Sequence, residues 1–147
     1  MKSVVDEGRW LATQPSTGEA ELELRFSGGM KRGIEYLVLE DEDGAIVGAA
    51  GLHPGEGDRI FALGMWLLAE LRGRGLGRKL LEAGLETAWR EGALKVELEV
   101  FTDNVAAIEL YRSAGFAVED VLTDRYRRED GSVKSSVVMG LRAPSRG

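Results

Sequence analysis

Ile60-Phe61-Ala62-Leu63-Gly64-Met65-Trp66-Leu67-Leu68-Ala69-Glu70-Leu71-Arg72-Gly73-Arg74-Gly75-Leu76-Gly77-Arg78 is the stretch that decides the fold. From Ile60 to Leu67 it is apolar and short, which predicts a buried strand. Gly64 inside that strand marks either a bulge or a place where another backbone or a ligand comes close. Glycines then fall at 73, 75 and 77 among arginines. After them the period changes to helical: Leu76, Leu80, Leu81, Leu85, Ala88 and Trp89 share one side, with Arg78, Lys79, Glu82, Glu86 and Arg90 on the other. A helix that starts directly after a strand points free N–H groups and its positive dipole end at whatever lies beyond the strand's C-terminal edge. Glycine removes the Cβ that would keep an anion away from that backbone.

Downstream, Gly92 is placed to stop the helix. Leu94, Val96, Leu98 and Val100 alternate with Lys95, Glu97, Glu99 and Phe101, giving a strand with one apolar face. Asp103 or Asn104 can cap a second helix with apolar positions at Ala107, Ile108, Leu110 and Tyr111, and Gly115-Phe116 fits its end. Val118 to Arg128 and Val133 to Leu141 form a last hairpin about Glu129-Asp130-Gly131. Upstream, Tyr36 to Glu40 and Ala45 to Leu52 read as a hairpin, and His53 to Asp58 as a loop. In residues 1–35, Glu21 to Phe26 alternates like a strand, while Ser16 and Glu19 have capping-box spacing. Helix is the preferred reading there. Together these elements predict a mixed α/β sheet with helices on both faces.

With 147 residues, one domain over 1–147 is expected: an N-terminal segment 1–35, a core 36–141 and a tail 142–147. The net charge of −6 argues against a global nucleic-acid footprint. No apolar run is long enough to span a bilayer, and Asp6 and Glu7 interrupt any signal-peptide core, so a cytoplasmic, membrane-free protein is expected. Cysteine is absent and His53 is the one histidine, which removes thiol nucleophiles and His-rich metal clusters; no metal site is expected.

Taken alone, the turn at 72–78 admits two readings: an anion cradle suited to a pyrophosphate, or a tight connection whose basic residues serve solubility. It lacks the Lys-Ser/Thr ending of a P-loop and is too compact for Gly-x-Gly-x-x-Gly, so ATP and NAD fit poorly.

Arg72-Gly73-Arg74-Gly75-Leu76-Gly77 resembles motif A of the GCN5-related N-acetyltransferases, Arg/Gln-x-x-Gly-x-Gly/Ala. That family's second element, Asn-x-x-Ala-x-x-x-Tyr-x-x-x-Gly-Phe, also has its counterpart in Asn104, Ala107, Tyr111 and Gly115-Phe116. Leu63 to Glu70 looks like the family's fourth strand and its turn, and Asp124 to Leu141 like the last hairpin of its amino-acid and ribosomal-protein alanine branches. The resemblance runs from about Tyr36 to Leu141 and implies a single-domain fold on a mixed, mostly antiparallel sheet, with acetyl-CoA as cosubstrate. It implies that main-chain groups of Met65, Trp66 and Leu67 pair with the pantetheine arm as a strand would. It implies further that Arg72, Gly73, Arg74, Gly75, Leu76, Gly77 and Arg78 hold the pyrophosphate by backbone N–H groups, that Asn104 contacts the cofactor near the thioester, and that Tyr111 lies beside the departing sulfur.

Acetyl transfer from a thioester to an amine needs a neutral amine, a place for negative charge on the carbonyl oxygen and a partner for the thiolate. A backbone N–H near Met65 to Leu67, freed where a bulge splays the strands, suits the second need. For the third, a phenol of pKa about 10 and a thiol of about 8.5 make full proton transfer uphill by about 2 kcal/mol, so Tyr111 acts as hydrogen-bond donor as much as acid. Its alternative is plain packing, since 107, 108 and 111 share a helix face. For the base, Glu99 matches a glutamate of the alanine N-acetyltransferases, yet it shares its strand face with Lys95 and Glu97, as a solvated residue would. The expected acceptor is a small amine, an amino acid or a protein N-terminus. A CoA-binding module without turnover is the rival, and a homodimer through a strand edge or the last hairpin is compatible with the pattern.

Overall fold

A computed structural model describes residues 9–13, 21–31, 34–73 and 75–145, with side chains from residue 37 onward, Arg74 excepted. Eight strands among these residues form one sheet: Arg9–Thr13 (β1), Glu21–Lys31 (β2), Ile34–Glu40 (β3), Ile46–Pro54 (β4), Ile60–Leu67 (β5), Lys95–Phe101 (β6), Ala117–Arg127 (β7) and Val133–Arg142 (β8). Two α-helices, Leu76–Arg90 (α1) and Val105–Ser113 (α2), interrupt the strand succession. The spatial order is β1-β2-β3-β4-β5-β6-β8-β7, antiparallel at every step except β5 beside β6. Among the described residues no helix is long and apolar enough to cross a membrane.

Most elements from Ile34 to Arg142 follow the sequence pattern because they carry one apolar face; β7, exposed almost throughout, is held by its ladder with β8. In α1, Leu76, Leu80, Leu81, Leu85 and Ala88 are buried, and Leu80, Leu81 and Ala88 are fully so. Burying each such leucine is worth about 1.5–3 kcal/mol. The partners of Leu80, Leu81, Leu85 and Ala88 are Leu37, Ala50, Leu52 and Leu63 on the sheet and Val96, Leu98, Val100 and Met139 further along it. Gly84 lets α1 lie close, since a Cβ there would stand 3.4 Å from Leu63. Helix α2 shares this layer: Tyr111 and Phe116 belong to the same apolar cluster, and a Cβ on Gly77 would meet Leu110 at 3.4 Å.

Two expectations are corrected. Helix was preferred in residues 1–35, but Glu21–Lys31 is a strand, paired from Arg25↔Glu40 to Lys31↔Ile34; Ser16 and Glu19 lie outside the described residues. The alternation in Glu21 to Phe26 meets an open edge of β3, and ladder formation there outweighs a local capping signal. The mixed α/β layering therefore has α1 and α2 together on one face, and the other face carries no described helix. Second, no bulge interrupts β5: it pairs with β4 continuously from Gly48↔Leu67 to Pro54↔Phe61, and His53 sits exposed in that ladder.

The strands splay on the other side of β5. Its parallel ladder with β6 consists of Ile60↔Lys95, Phe61↔Val96 and Ala62↔Glu97 and then stops. Beyond it, Leu63 to Leu67 and Leu98 to Phe101 diverge, because β6 continues along β8 while β5 stays with β4. In an antiparallel ladder alternate residues bond to the one neighbour. The other backbone groups of β5 past Ala62 thus face an opening.

Candidate active site

The opening leads into a cleft of about 470 Å³ on the α1 and α2 side. Met65, Trp66 and Leu67 form its strand wall, Arg72, Gly73, Gly75, Gly77 and Arg78 its turn wall, and Asn104, Ala107, Leu110 and Tyr111 its helix wall. Of the expected site residues these are brought together by the fold. Leu76 is not on the lining: its side chain is buried with Leu39, Val47, Leu67 and Leu71, anchoring the turn to the sheet. Arg74 lies outside the described residues. A wider hollow of about 840 Å³ at the far end of β5 and β6, beside Arg59, Trp89 and Leu94, contains none of the expected residues.

Glycine is required at two points of the turn. Gly73 and Gly75 both have φ of 80°, left-handed backbone that costs other residues about 1–2 kcal/mol. Gly75 is the N-cap of α1 and offers no side-chain cap; the first helical bond runs from the Lys79 N–H to the Gly75 carbonyl. The N–H groups of Gly73, Gly75, Leu76 and Gly77 meet no acceptor among the described residues. They lie at the positive end of a 15-residue helix. Arg72 differs: its N–H donates to the Ala69 carbonyl at 3.1 Å, and its Nε donates to the Leu67 carbonyl at 3.2 Å. Its backbone is thus engaged, and its guanidinium ties the end of β5 to the turn. Arg78 donates to the Ser113 hydroxyl, which in turn donates to the Leu110 carbonyl at 2.7 Å, so the start of α1 is clasped to the end of α2.

Asn104 caps α2, its Oδ1 accepting from the Ala107 N–H at 3.2 Å. Asn104 also lines the cleft, and its Nδ2 has no hydrogen-bond partner among the described residues. Tyr111 is 8% exposed, with its ring 5.8 Å from that of Phe116. Its hydroxyl has no hydrogen-bond partner among the described residues, and burial pushes its pKa above the usual phenol value. A buried phenol without a protein partner, at the edge of a cleft, is a donor in need of an acceptor.

Glu99 stands apart from the cleft. On β6 its side chain shares a face with Lys95, Glu97 and Phe101, opposite to Val96, Leu98 and Val100. Its Oε2 accepts from the Ser136 hydroxyl at 2.5 Å and the Tyr126 hydroxyl at 2.6 Å. These two donors, Ser136 first, hold the carboxyl below the usual glutamate range. Tyr126 and Ser136 escaped the sequence reading. The β7–β8 register jumps from Leu122↔Ser136 to Tyr126↔Lys134, with Asp124 at φ 51° in the bulge, and bulges re-aim side chains in ways no local pattern announces.

Solved structures share this architecture. The structure of yncA from Salmonella typhimurium with its cofactor acetyl-CoA superposes with a TM-score of 0.68 at 26% identity, covering 78% of this chain and 68% of that one. The ribosomal-protein-S18-alanine N-acetyltransferase from Escherichia coli gives 0.69 at 24% identity, over 80% and 74% of the two chains, a likeness of fold. The class is that of N-acetyltransferases. A family model for the acetyltransferase (GNAT) family matches residues 6–116, and the chain belongs to that family. A mycothiol acetyltransferase of Kocuria rhizophila is 35% identical over 130 residues, 76% of this chain and 42% of that protein. The chain thus spans about two fifths of the length of the mycothiol acetyltransferases it matches.

Proposed function

We propose that the protein transfers an acetyl group from acetyl-CoA to a primary amine by direct attack within a ternary complex, residues 1–147 acting as one catalytic domain. The observation that carries this reading is the coincidence, at one cleft, of three features without partners among the described residues: the strand edge past Ala62, the N–H groups of Gly73, Gly75, Leu76 and Gly77, and the phenol of Tyr111. The residues fit the cosubstrate. Met65 to Leu67 offer main-chain groups to a pantetheine amide chain, the glycine turn and Arg78 receive a pyrophosphate, and the Asn104 amide donates near the thioester.

Acetyl-CoA supplies an activated acyl group with a thiolate as leaving group. A β5 backbone N–H at the splay receives the charge on the carbonyl oxygen. Tyr111 donates its hydrogen bond to the sulfur. Because its pKa lies above about 10 and a thiol's near 8.5, the phenol stabilises the thiolate without giving up its proton completely. The N–C bond forms as the C–S bond breaks, and the proton lost by the amine balances the one gained by the thiol. Glu99 belongs to the acceptor side: a carboxylate held ionised attracts an ammonium and is a weak base toward it. A second copy would add along β7, an edge strand whose Val118 and Val121 are exposed.

The test is thiol release from acetyl-CoA over a panel of amino acids, polyamines and short peptides. Release with one class of amine supports the reading. Acetyl-CoA binding without release on any amine would favour a CoA-binding module.

A further inference from the structure

Gly64 and Glu99 each stand two residues past the last rung of the β5–β6 ladder, Ala62↔Glu97. Since side chains alternate along a strand, both project from the face turned away from α1 and α2. Gly64 therefore opposes Glu99 across the mouth of the splay. It is exposed, a Cβ built on it meets nothing within 4 Å, and its φ lies outside the left-handed region, so neither packing nor backbone conformation requires glycine there. Around this gap three aromatic rings are exposed: Trp66 at 48% on one lip, Phe101 and Tyr126 at 40% each on the other. Phe101 and Tyr126 meet edge to face at 5.5 Å, so the second lip is a fixed wall. Arg125 acts on the charge of both Glu99 and Tyr126, so a cation lies near the anchored anion.

We infer that this mouth receives an α-amino group with its neighbouring carbonyl, and that the missing side chain of Gly64 sets how bulky a substituent the acceptor's α-carbon can carry. This deepens the acetyltransferase reading and rests on it. Glu99 pairs with the ammonium beside the exposed rings of Trp66 and Tyr126, while Phe101, whose face already carries the Lys134 ammonium at 4.6 Å, closes the wall without binding a cation; Arg125, whose charge acts on both Glu99 and Tyr126, attracts the carbonyl oxygen two bonds beyond the α-carbon. An α-amine, with pKa near 8, also sheds its proton more readily than an alkylamine near 10.4, as suits a site whose carboxylate is a weak base.

The experiment measures thiol release by the wild type, Gly64→Ala and Gly64→Val with glycinamide, L-alaninamide, L-valinamide and the peptide Ala-Gly-Gly, with butylamine and spermidine as alkylamine controls. Acetyl-CoA binding is titrated in parallel. In the wild type all three amides react. Gly64→Val loses at least tenfold more in kcat/KM for valinamide than for glycinamide, with alaninamide between them, as one or two lost methylene widths imply. Thermal unfolding and the acetyl-CoA titration serve as the folding controls. Equal losses on all amides, or none, overturn the role of Gly64. A wild type that takes butylamine or spermidine and refuses the amides overturns this inference alone. One that binds acetyl-CoA and acetylates no amine overturns the acetyltransferase reading as well. Among positive results, Ala-Gly-Gly against alaninamide separates a peptide acceptor from a free amino-acid derivative.

Discussion

Replacing Tyr111 with phenylalanine removes one oxygen and leaves the ring contact with Phe116 at 5.8 Å in place. Because the hydroxyl has no hydrogen-bond partner among the described residues, no protein bond is lost, and stability should change by less than about 1 kcal/mol, in either direction. Turnover should respond quite differently. A hydrogen bond from a buried donor to a thiolate, formed as charge develops, is worth about 2.7 kcal/mol, or a hundredfold in kcat. Burial raises the phenol's pKa, so any loss of wild-type kcat from Tyr111 ionisation should set in at higher pH than for an ordinary exposed phenol. The assay pairs steady-state thiol release with thermal unfolding and with titration of acetyl-CoA. The expected triad is kcat down about a hundredfold, Tm unchanged within a few degrees and acetyl-CoA affinity within about threefold. A variant with wild-type kcat would show that Tyr111 only packs and would remove it from the mechanism.

Gly75→Ala forces alanine to φ 80° with open space around it, so unfolding free energy should fall by about 1–2 kcal/mol from backbone strain, and acetyl-CoA binding should weaken as the N–H array shifts; denaturant titration and calorimetry read the two effects. Asn104→Ala should cost about 1 kcal/mol as the cap on Ala107 is lost, while Asn104→Asp should restore stability and still bind acetyl-CoA more weakly, since a negatively charged acceptor replaces the amide donor. Glu99 titrates lower in the folded than in the unfolded chain, so between those two pKa values the unfolded state binds more protons. Its contribution to stability is present above the ordinary value of 4.5 and lost as pH falls through the folded one; Tm against pH should therefore drop less steeply on the acid side in Glu99→Gln.

How far the sequence carried the structure depends on the range of the interactions. The strand–turn–helix from Ile60 to Arg90 was readable because its period, its glycines and its amphipathic face are all local, and they agree. Asn104 as a cap and Tyr111 on the inward face of α2 were readable for the same reason. What escaped was set by pairing. Glu21–Lys31 carries a weak alternation that only the neighbouring β3 turns into a strand. The splay arises because β6 follows β8 and β5 follows β4, so its cause lies in ladders with partners distant in sequence, and a bulge was the wrong local surrogate. Likewise Tyr126 reaches Glu99 across 27 positions through the Asp124 bulge.

Calorimetric titration with acetyl-CoA, with ATP as control, tests the central claim most directly. The account predicts saturable binding of one acetyl-CoA per chain, weakened by Gly75→Ala and little changed by Tyr111→Phe, with ATP binding far more weakly. No acetyl-CoA binding, or equal binding of ATP, would contradict the assignment of the cleft between Met65 and Tyr111.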